Sequence, residues 1–82
     1  MTQPGPHALQ PIIIDARGLS CPLPVLRLNK ALRDIPGGAE IILLATDPAA
    51  LRDVPAFCNA HGHQVIHSSE GEFFRFRIRK IA

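Results

Sequence analysis

The sequence contains no tryptophan and no tyrosine, and four phenylalanines account for its whole aromatic content of 5%. No apolar run approaches the roughly 20 residues that span a bilayer, so we expect no transmembrane helix. Acidic and basic residues nearly balance, and a formal net charge of +2 is too small to indicate nucleic-acid binding by itself. With 82 residues, the chain has room for one small domain.

Cysteine is also scarce, with two residues in the chain. The N-terminus lacks the basic start and the apolar core of a secretory signal, so we expect a cytoplasmic protein whose thiols stay reduced and form no structural disulfide. The proline-containing segment 1–11 is predicted to be a disordered tail. The single domain is predicted to cover residues 12–82.

The hydrophobic pattern predicts four strands and two helices in the order β-α-β-α-β-β. Strands are predicted at 12–16, 39–46, 63–69 and 72–81, and helices at 22–35 and from 48 to the His-Gly pair at 61–62. Crossovers of this length allow parallel pairing of the first two strands and place both helices on one side, while the last two strands form a hairpin. The predicted fold class is α/β (α+β), a two-layer sandwich in which two helices cover one face of a mixed four-stranded sheet.

Apolar periodicity also predicts which side chains face the core. The first helix presents Val25, Leu28, Leu32 and Ile35, and the second presents Leu51, Val54 and Cys58. The last strand points Phe74, Phe76 and Ile78 to one side and Phe73, Arg75, Arg77 and Arg79 to the other.

The start of the second helix is less regular. Asp47 is predicted as its N-cap and Pro48 as its first residue. Pro55 conflicts with a regular helix, because an interior proline costs about 3 kcal/mol. Either the helix kinks at Pro55, or residues 48–51 form a loose turn and the regular helix begins near Asp53.

The segment GLSCPLP, residues 18–24, places a cysteine directly before a proline at the start of a helix. A residue before proline is driven toward extended angles, which an N-cap requires. We therefore predict Cys21 as the N-cap, with Pro22 at N1 and Pro24 at N3, where a missing N–H breaks no helical hydrogen bond. Gly18 gives the approaching chain conformational freedom.

This position favours a reactive thiol. The sulfur of Cys21 is expected at the positive end of the helix dipole and within reach of the Leu23 N–H, which lowers a thiol pKa from about 8.5 toward neutrality. The prolines remove donors that a phosphate site would use. The alternative, that Cys21 only caps the helix, stays open at this point.

The GLSCPLP segment and the later block ATDPAALRDVPAFCNAHGH together resemble the TusA-like sulfur carrier family, from about Ile13 to Lys80. The resemblance implies the same two-layer fold and a persulfide carried on Cys21. The motif positions that would support this cysteine are Gly18, Pro22 and Pro24.

By the same resemblance, the chain accepts sulfur from a cysteine desulfurase or rhodanese and passes it to a downstream acceptor protein. The family serves tRNA thiolation, molybdenum cofactor assembly or sulfur oxidation. The resemblance implies a sulfurtransferase that works by persulfide transfer rather than by turnover of a small substrate. We expect this chain to need no cofactor. Members of the tRNA-thiolation branch often have Arg and Glu where this chain has Ser20 and Leu23, so the resemblance does not select the pathway.

The second cysteine and three of the histidines are weaker site candidates. Cys58 is predicted to be a buried apolar residue, with a resolving thiol as the alternative. The histidines at positions 61, 63 and 67 suggest a metal site only weakly, because no carboxylate or thiol completes the set, and we expect no metal.

Several charged residues are candidates for partner docking. Three lie in the second motif block, where they serve either as cap and surface charge or as partner contacts: Asp47, Arg52 and Asp53. Arg27 and Lys30 on the first helix, with Arg33 beyond them, are expected to steer a negatively charged partner toward the thiol.

The basic stripe Arg75, Arg77 and Arg79 is either a solvated face or a docking surface for an acidic partner or RNA. Phe73 is the one aromatic residue predicted on the face of this stripe, which is too few for the base stacking that RNA binding uses, so we expect no direct RNA contact. We also expect a monomer that does not bind membranes. Two function classes therefore remain: a sulfur carrier working through Cys21, and a regulatory or nucleic-acid-binding module in which Cys21 is only a helix cap.

Overall fold

The computed structural model of this chain describes residues 10–81. Its elements are β1 Ile12–Ala16, α1 Leu23–Arg33, β2 Glu40–Ala45, α2 Ala50–Ala60, β3 Gln64–Glu70 and β4 Phe73–Arg79. The predicted order β-α-β-α-β-β is confirmed. Most of the predicted tail, residues 1–9, lies outside the described residues. No helix within residues 10–81 is long and apolar enough to cross a membrane.

The four strands form one mixed sheet in the order β1-β2-β4-β3. β1 runs parallel to β2, while β4 is antiparallel to both β2 and β3. Phe76 of β4 pairs with Leu43 of β2, which in turn pairs with Ile14 of β1. These side chains face the helices, so the predicted two-layer sandwich with both helices on one face is confirmed.

The core lies between this face of the sheet and the two helices. Its fully buried large side chains are Leu28, Ile41, Leu43, Val54, Cys58, Phe76 and Ile78. The predicted core face of α1 is confirmed, although the helix ends at Arg33 rather than at 35. The prediction that Leu51 faces the core is wrong, because 38% of this residue is exposed and Ala50 is buried in its place. Ala50 also lines a small cavity beside Pro24 and Val25 of α1.

The predicted start of α2 is also wrong. The helix begins at Ala50, not at Pro48 and not near Asp53, and it is continuous through Pro55. A tight turn leads into it, with the Ala50 N–H donating to the Asp47 carbonyl at 2.9 Å. Pro55 leaves the carbonyl of Leu51 without its helical donor. Because Leu51 lies on the solvent side, water can bond to that carbonyl.

The open face of the sheet carries the basic stripe, and the predicted alternation of β4 is confirmed. Two of its arginines form ion pairs with one acidic residue of the neighbouring strand. Glu40 accepts hydrogen bonds from Arg77 at 2.7 Å and from Arg79 at 2.8 Å. The role of Glu40 is not evident from the sequence, because it depends on the strand register that places Glu40 opposite Arg79. Arg75 is the member of the stripe with no ion pair among the described residues.

Replacing Glu40 with Gln is expected to lower the free energy of unfolding by about 1 kcal/mol at pH 7, the upper range for exposed pairs, because one carboxylate serves two arginines. Hydrogen bonds from Arg77 and Arg79 lower the pKa of Glu40 in the folded state. The stabilisation is therefore present above the pKa of an unfolded Glu and disappears as pH falls through the folded pKa.

Urea titrations at pH 7 and at pH 3 would measure the difference in the free energy of unfolding between Glu40→Gln and the unsubstituted chain. The matched control is Glu72→Gln, since Glu72 makes no side-chain hydrogen bond or ion pair within residues 10–81. Equal effects of the two substitutions at pH 7 would contradict a specific role for Glu40.

Candidate functional site

The candidate site lies at the sheet edge where β1 and β2 end. Because these strands are parallel neighbours, the loops that follow them, residues 17–22 and 46–49, lie side by side. Gly18 turns the first loop with a φ of +82°, a conformation that L side chains rarely adopt. Its N–H donates to the Thr46 hydroxyl at 2.8 Å, which ties the two loops together.

Asp47 holds the backbone of Cys21. The N–H of Cys21 donates to Oδ2 of Asp47 at 2.8 Å, and the N–H of Ala49 donates to Oδ1 at 3.0 Å. These two backbone donors lower the pKa of Asp47, so the carboxylate is ionised at neutral pH. The Cys21–Pro22 peptide bond is cis. Asp47 therefore joins the cysteine loop to the start of α2, instead of capping that helix in the predicted way.

The predicted register of α1 is wrong by one residue. Pro22, not Cys21, is the N-cap, so Leu23 is the first helical residue and Pro24 the second. The Leu26 N–H donates to the Pro22 carbonyl at 3.0 Å, which begins the helical hydrogen bonding there. Prolines at N-cap and N2 break no helical hydrogen bond either, so the proline spacing fits both registers.

The predicted partner of the thiol is also wrong. The Leu23 N–H donates to the Ser20 carbonyl at 2.9 Å. The thiol of Cys21 donates instead to Oδ2 of Asp53, in the first turn of α2, at 2.7 Å. Nε of Arg52 lies 3.1 Å from the other oxygen of the same carboxylate.

This arrangement reverses the predicted shift of the thiol pKa. The hydrogen bond to Asp53 raises the pKa of Cys21, and desolvation and the negative charges of Asp53 and Asp47 act in the same direction, against a smaller opposing effect of Arg52. The expectation of a lowered pKa fails because a carboxylate, and not the N-terminus of the helix, is the nearest partner of the sulfur. The same hydrogen bond, followed by that of Arg52, lowers the pKa of Asp53.

The candidate residues fall into two groups. Cys21, Asp47 and Asp53 line one small cavity between the first turns of α1 and α2, together with Pro22, Pro24, Val25 and Ala50. Arg27 and Lys30 line a separate groove against β1. Cys21 itself is exposed, so its sulfur is accessible to another protein while its backbone is held from both loops.

Cys58 is a different kind of cysteine. It is completely buried under α2, and burial raises its pKa to about 11. Such a thiol is neutral at physiological pH and shielded from reagents. The structure therefore confirms the prediction of a buried apolar residue.

Cys58→Ala is expected to lower the free energy of unfolding by about 1 kcal/mol, because removing the sulfur leaves a small cavity in the core. The variant should accept sulfur as the unsubstituted chain does. Denaturant titration measures the stability, and mass spectrometry after incubation with a persulfide donor measures sulfur loading. Unchanged stability together with lost loading would mean that Cys58 takes part in the chemistry.

The three histidines have separate surroundings. Nδ1 of His61 lies 2.9 Å from the Phe57 carbonyl, Nδ1 of His63 accepts the Ile81 N–H at 3.0 Å, and His67 packs against Phe76. Burial lowers the pKa of His63. Within residues 10–81, no group of three or more His, Cys, Asp or Glu is placed to hold a metal ion.

Comparisons with known proteins identify the family of this chain. The family model described as Sulfurtransferase TusA matches residues 12–80. The sulfur carrier protein TusA of Pseudomonas putida strain F1 is 42% identical over 71 residues, covering 85% of this chain and 89% of that protein. The protein of the same name from Pseudomonas savastanoi pv. phaseolicola is 38% identical over 82 residues, covering 98% and 96%.

A solved structure is similar as well. The crystal structure of a SirA-like protein from Desulfitobacterium hafniense has a TM-score of 0.78 and 25% identity, covering 87% of this chain and 99% of that one. The fold and the sequence matches extend over nearly all of the described residues. This chain therefore belongs to the TusA family of sulfurtransferases.

Proposed function

We propose that this protein is a sulfur carrier that holds sulfane sulfur as a persulfide on Cys21. The observation that carries the proposal is the placement of this cysteine: its sulfur is exposed, while its N–H is fixed to Asp47 at the junction of two loops. The family match and the names of the relatives support the same function. Gly18, Pro22 and Pro24 would shape the loop that presents the sulfur.

The reaction is a thiol–persulfide exchange. The sulfur of Cys21 attacks the outer sulfur of a donor protein's persulfide, a new S–S bond forms on Cys21, and the donor's S–S bond breaks. The donor leaves as a thiol that has gained the proton lost by Cys21, so no external oxidant or reductant is needed. The reverse sequence of steps delivers the sulfur to an acceptor.

A carrier of this kind requires a donor and an acceptor, and docking around Cys21 would involve charges on both helices. The donor class that fits is an enzyme that forms a persulfide, such as a cysteine desulfurase or a rhodanese. The acceptor would serve tRNA thiolation, molybdenum cofactor assembly or sulfur oxidation. We further propose that residues 12–82 act as one domain, as a monomer, in the reducing cytoplasm.

The alternative function depended on Cys21 being only a helix cap. Pro22 is the N-cap, so Cys21 has no capping role to explain its presence. The nucleic-acid alternative also loses support on the open sheet face, because Glu40 neutralises part of the basic stripe. Both observations favour the carrier function.

Incubation with a cysteine desulfurase and cysteine tests the proposal. The expected result is an intact mass higher by one sulfur atom, removed by a reducing agent, with peptide mapping that places the sulfur on Cys21. No added sulfur, or sulfur distributed equally between Cys21 and Cys58, would overturn it.

A further inference from the structure

Two carboxylates lie close to the exposed thiol of Cys21. Asp53 accepts a hydrogen bond from the thiol at 2.7 Å, and Asp47 accepts one from the Cys21 N–H. Both carboxylates belong to the β2–α2 connection and the first turn of α2, elements distant in sequence from the cysteine. An acidic residue directly at a nucleophilic thiol is unexpected, because anionic neighbours disfavour the thiolate that attacks.

The Asp53 carboxylate is held in place. About 24% of its side chain is exposed, and Arg52 binds the oxygen that does not contact the sulfur. Asp53 also lies in the first turn of α2, where the helix dipole favours a negative charge. These contacts keep the carboxylate ionised, so the shared proton stays on the sulfur rather than on the oxygen.

The other charges around the sulfur do not reverse this effect. From α2, Arg52 is the one cation that acts on it, but 82% of its side chain is exposed and its guanidinium already binds Asp53. From the first loop, Arg17 is paired with Asp15. The first turn of α1 contributes no charge, since its residues at the site are Pro22, Leu23, Pro24 and Val25.

We propose that Asp53 is a positioning residue that keeps the Cys21 thiol protonated and poorly reactive in the free carrier, until a donor persulfide supplies the base that takes the proton. The inference rests on the proposed function. In the exchange, the proton that Asp53 had held on Cys21 passes to the departing donor sulfur as the donor's S–S bond breaks and the new S–S bond forms on Cys21. Small electrophiles release no comparable base, so the same contact protects the empty carrier from irreversible modification.

The rate of alkylation of Cys21 by iodoacetamide, measured against pH on the full chain by peptide mass, tests this inference. The Asp53→Asn variant keeps the size of the side chain and removes its charge. Its alkylation profile should shift to lower pH, with a rate increase of about tenfold at pH 7, because the negative charge that disfavours the thiolate is removed. Asp53→Glu should restore most of the protection.

Asp34→Asn is the matched control. Asp34 lies in the separate groove against β1 with Arg27 and Lys30, so its substitution should not change the alkylation profile.

Arg52→Gln is a second, independent variant. Its side chain is highly exposed, so folding should be unaffected, and losing its positive charge should slow alkylation by about twofold. Opposite shifts for Asp53→Asn and Arg52→Gln support the inference. An unchanged or higher titration midpoint in Asp53→Asn, or shifts of the same sign in both variants, would overturn it.

The alkylation assay uses no sulfur donor, so it separates this inference from the carrier function. If the profiles shift as expected while the unsubstituted chain fails to load sulfur, the protective contact stands and the function fails. If the chain loads sulfur while Asp53→Asn leaves the profile unchanged, the function stands and the role of Asp53 is overturned.

Discussion

Cys21→Ser is expected to abolish sulfur loading and to leave the fold intact. A serine oxygen does not form the S–S bond that holds a persulfide, so the loss should be complete rather than partial. The serine N–H can still donate to Asp47, and its hydroxyl can still donate to Asp53. Because Pro22 is the N-cap, the new serine gains no capping role, and we expect unfolding free energy close to that of the unsubstituted chain.

Intact mass after incubation with a desulfurase and cysteine measures the loading, and a urea titration measures the stability. Cys58→Ala is the matched control, since it removes the other thiol and should load normally. Loading of Cys21→Ser at the level of the unsubstituted chain would exclude Cys21 as the acceptor. A large loss of stability would instead show that the contact with Asp53 requires a sulfur atom at position 21.

The sheet and helices were predictable because their signals are local and repeat along the chain. In β4, strict alternation separates Phe76 and Ile78 from Arg77 and Arg79, and that period alone assigns both faces of the strand. In α1, the apolar spacing identifies Leu28 and Leu32 as core residues even though the predicted helix bounds differ from the observed ones. The spacing of apolar residues does not depend on where the helix ends are placed. It therefore identifies the core residues even when the predicted bounds are wrong by one or two residues.

The sequence did not determine the first residue of α1. Two prolines separated by one residue fit an N-cap at position 21 or at 22, because neither register loses a helical hydrogen bond. Contacts from the neighbouring loop distinguish the registers. The N–H of Cys21 binds Asp47, so Cys21 belongs to the loop, and the first accepting carbonyl of the helix is that of Pro22.

The electrostatics of the site depend on residues far apart in the chain. Asp53 is 32 residues from Cys21, and nothing in the local sequence of either one shows that their side chains meet. The predicted shift of the Cys21 pKa has the wrong sign because a full negative charge at hydrogen-bond distance outweighs the partial positive charge of a helix end. The one sequence signal was the second motif block, which singled out Asp47, Arg52 and Asp53 without giving their contacts.

The cavity at Cys21 is lined by two acidic residues, whereas the charged residues that line the separate groove against β1 are mainly basic. Asp47 and Asp53 lie beside the sulfur, whereas Arg27 and Lys30 lie along α1 in the groove against β1. A partner with a matching arrangement of charges would be oriented as well as attracted, so its reactive sulfur would approach Cys21 from one direction. A carrier must also release its partners, and partly electrostatic contacts allow this without a large buried interface.

Replacing both Arg27 and Lys30 with Glu is therefore expected to slow sulfur transfer from a protein donor by about tenfold at low salt, the lower end of the range for electrostatic steering. The rate difference should shrink as salt rises, since exposed charges are screened within about 10 Å at 0.1 M ionic strength. Alkylation by iodoacetamide should scarcely change, because the charges nearest the thiol, Asp47, Arg52 and Asp53, remain.

Single substitutions supply the matched control for this prediction. Arg27→Glu and Arg75→Glu change the net charge equally, but Arg75 lies on the open face of the sheet, away from the helices. Transfer rates measured over a series of salt concentrations should fall for Arg27→Glu and not for Arg75→Glu. Equal slowing would mean that net charge alone governs the encounter. Slowing in Arg75→Glu alone would place the donor on the sheet face, where exposed Ile13 and Ile66 flank the basic stripe.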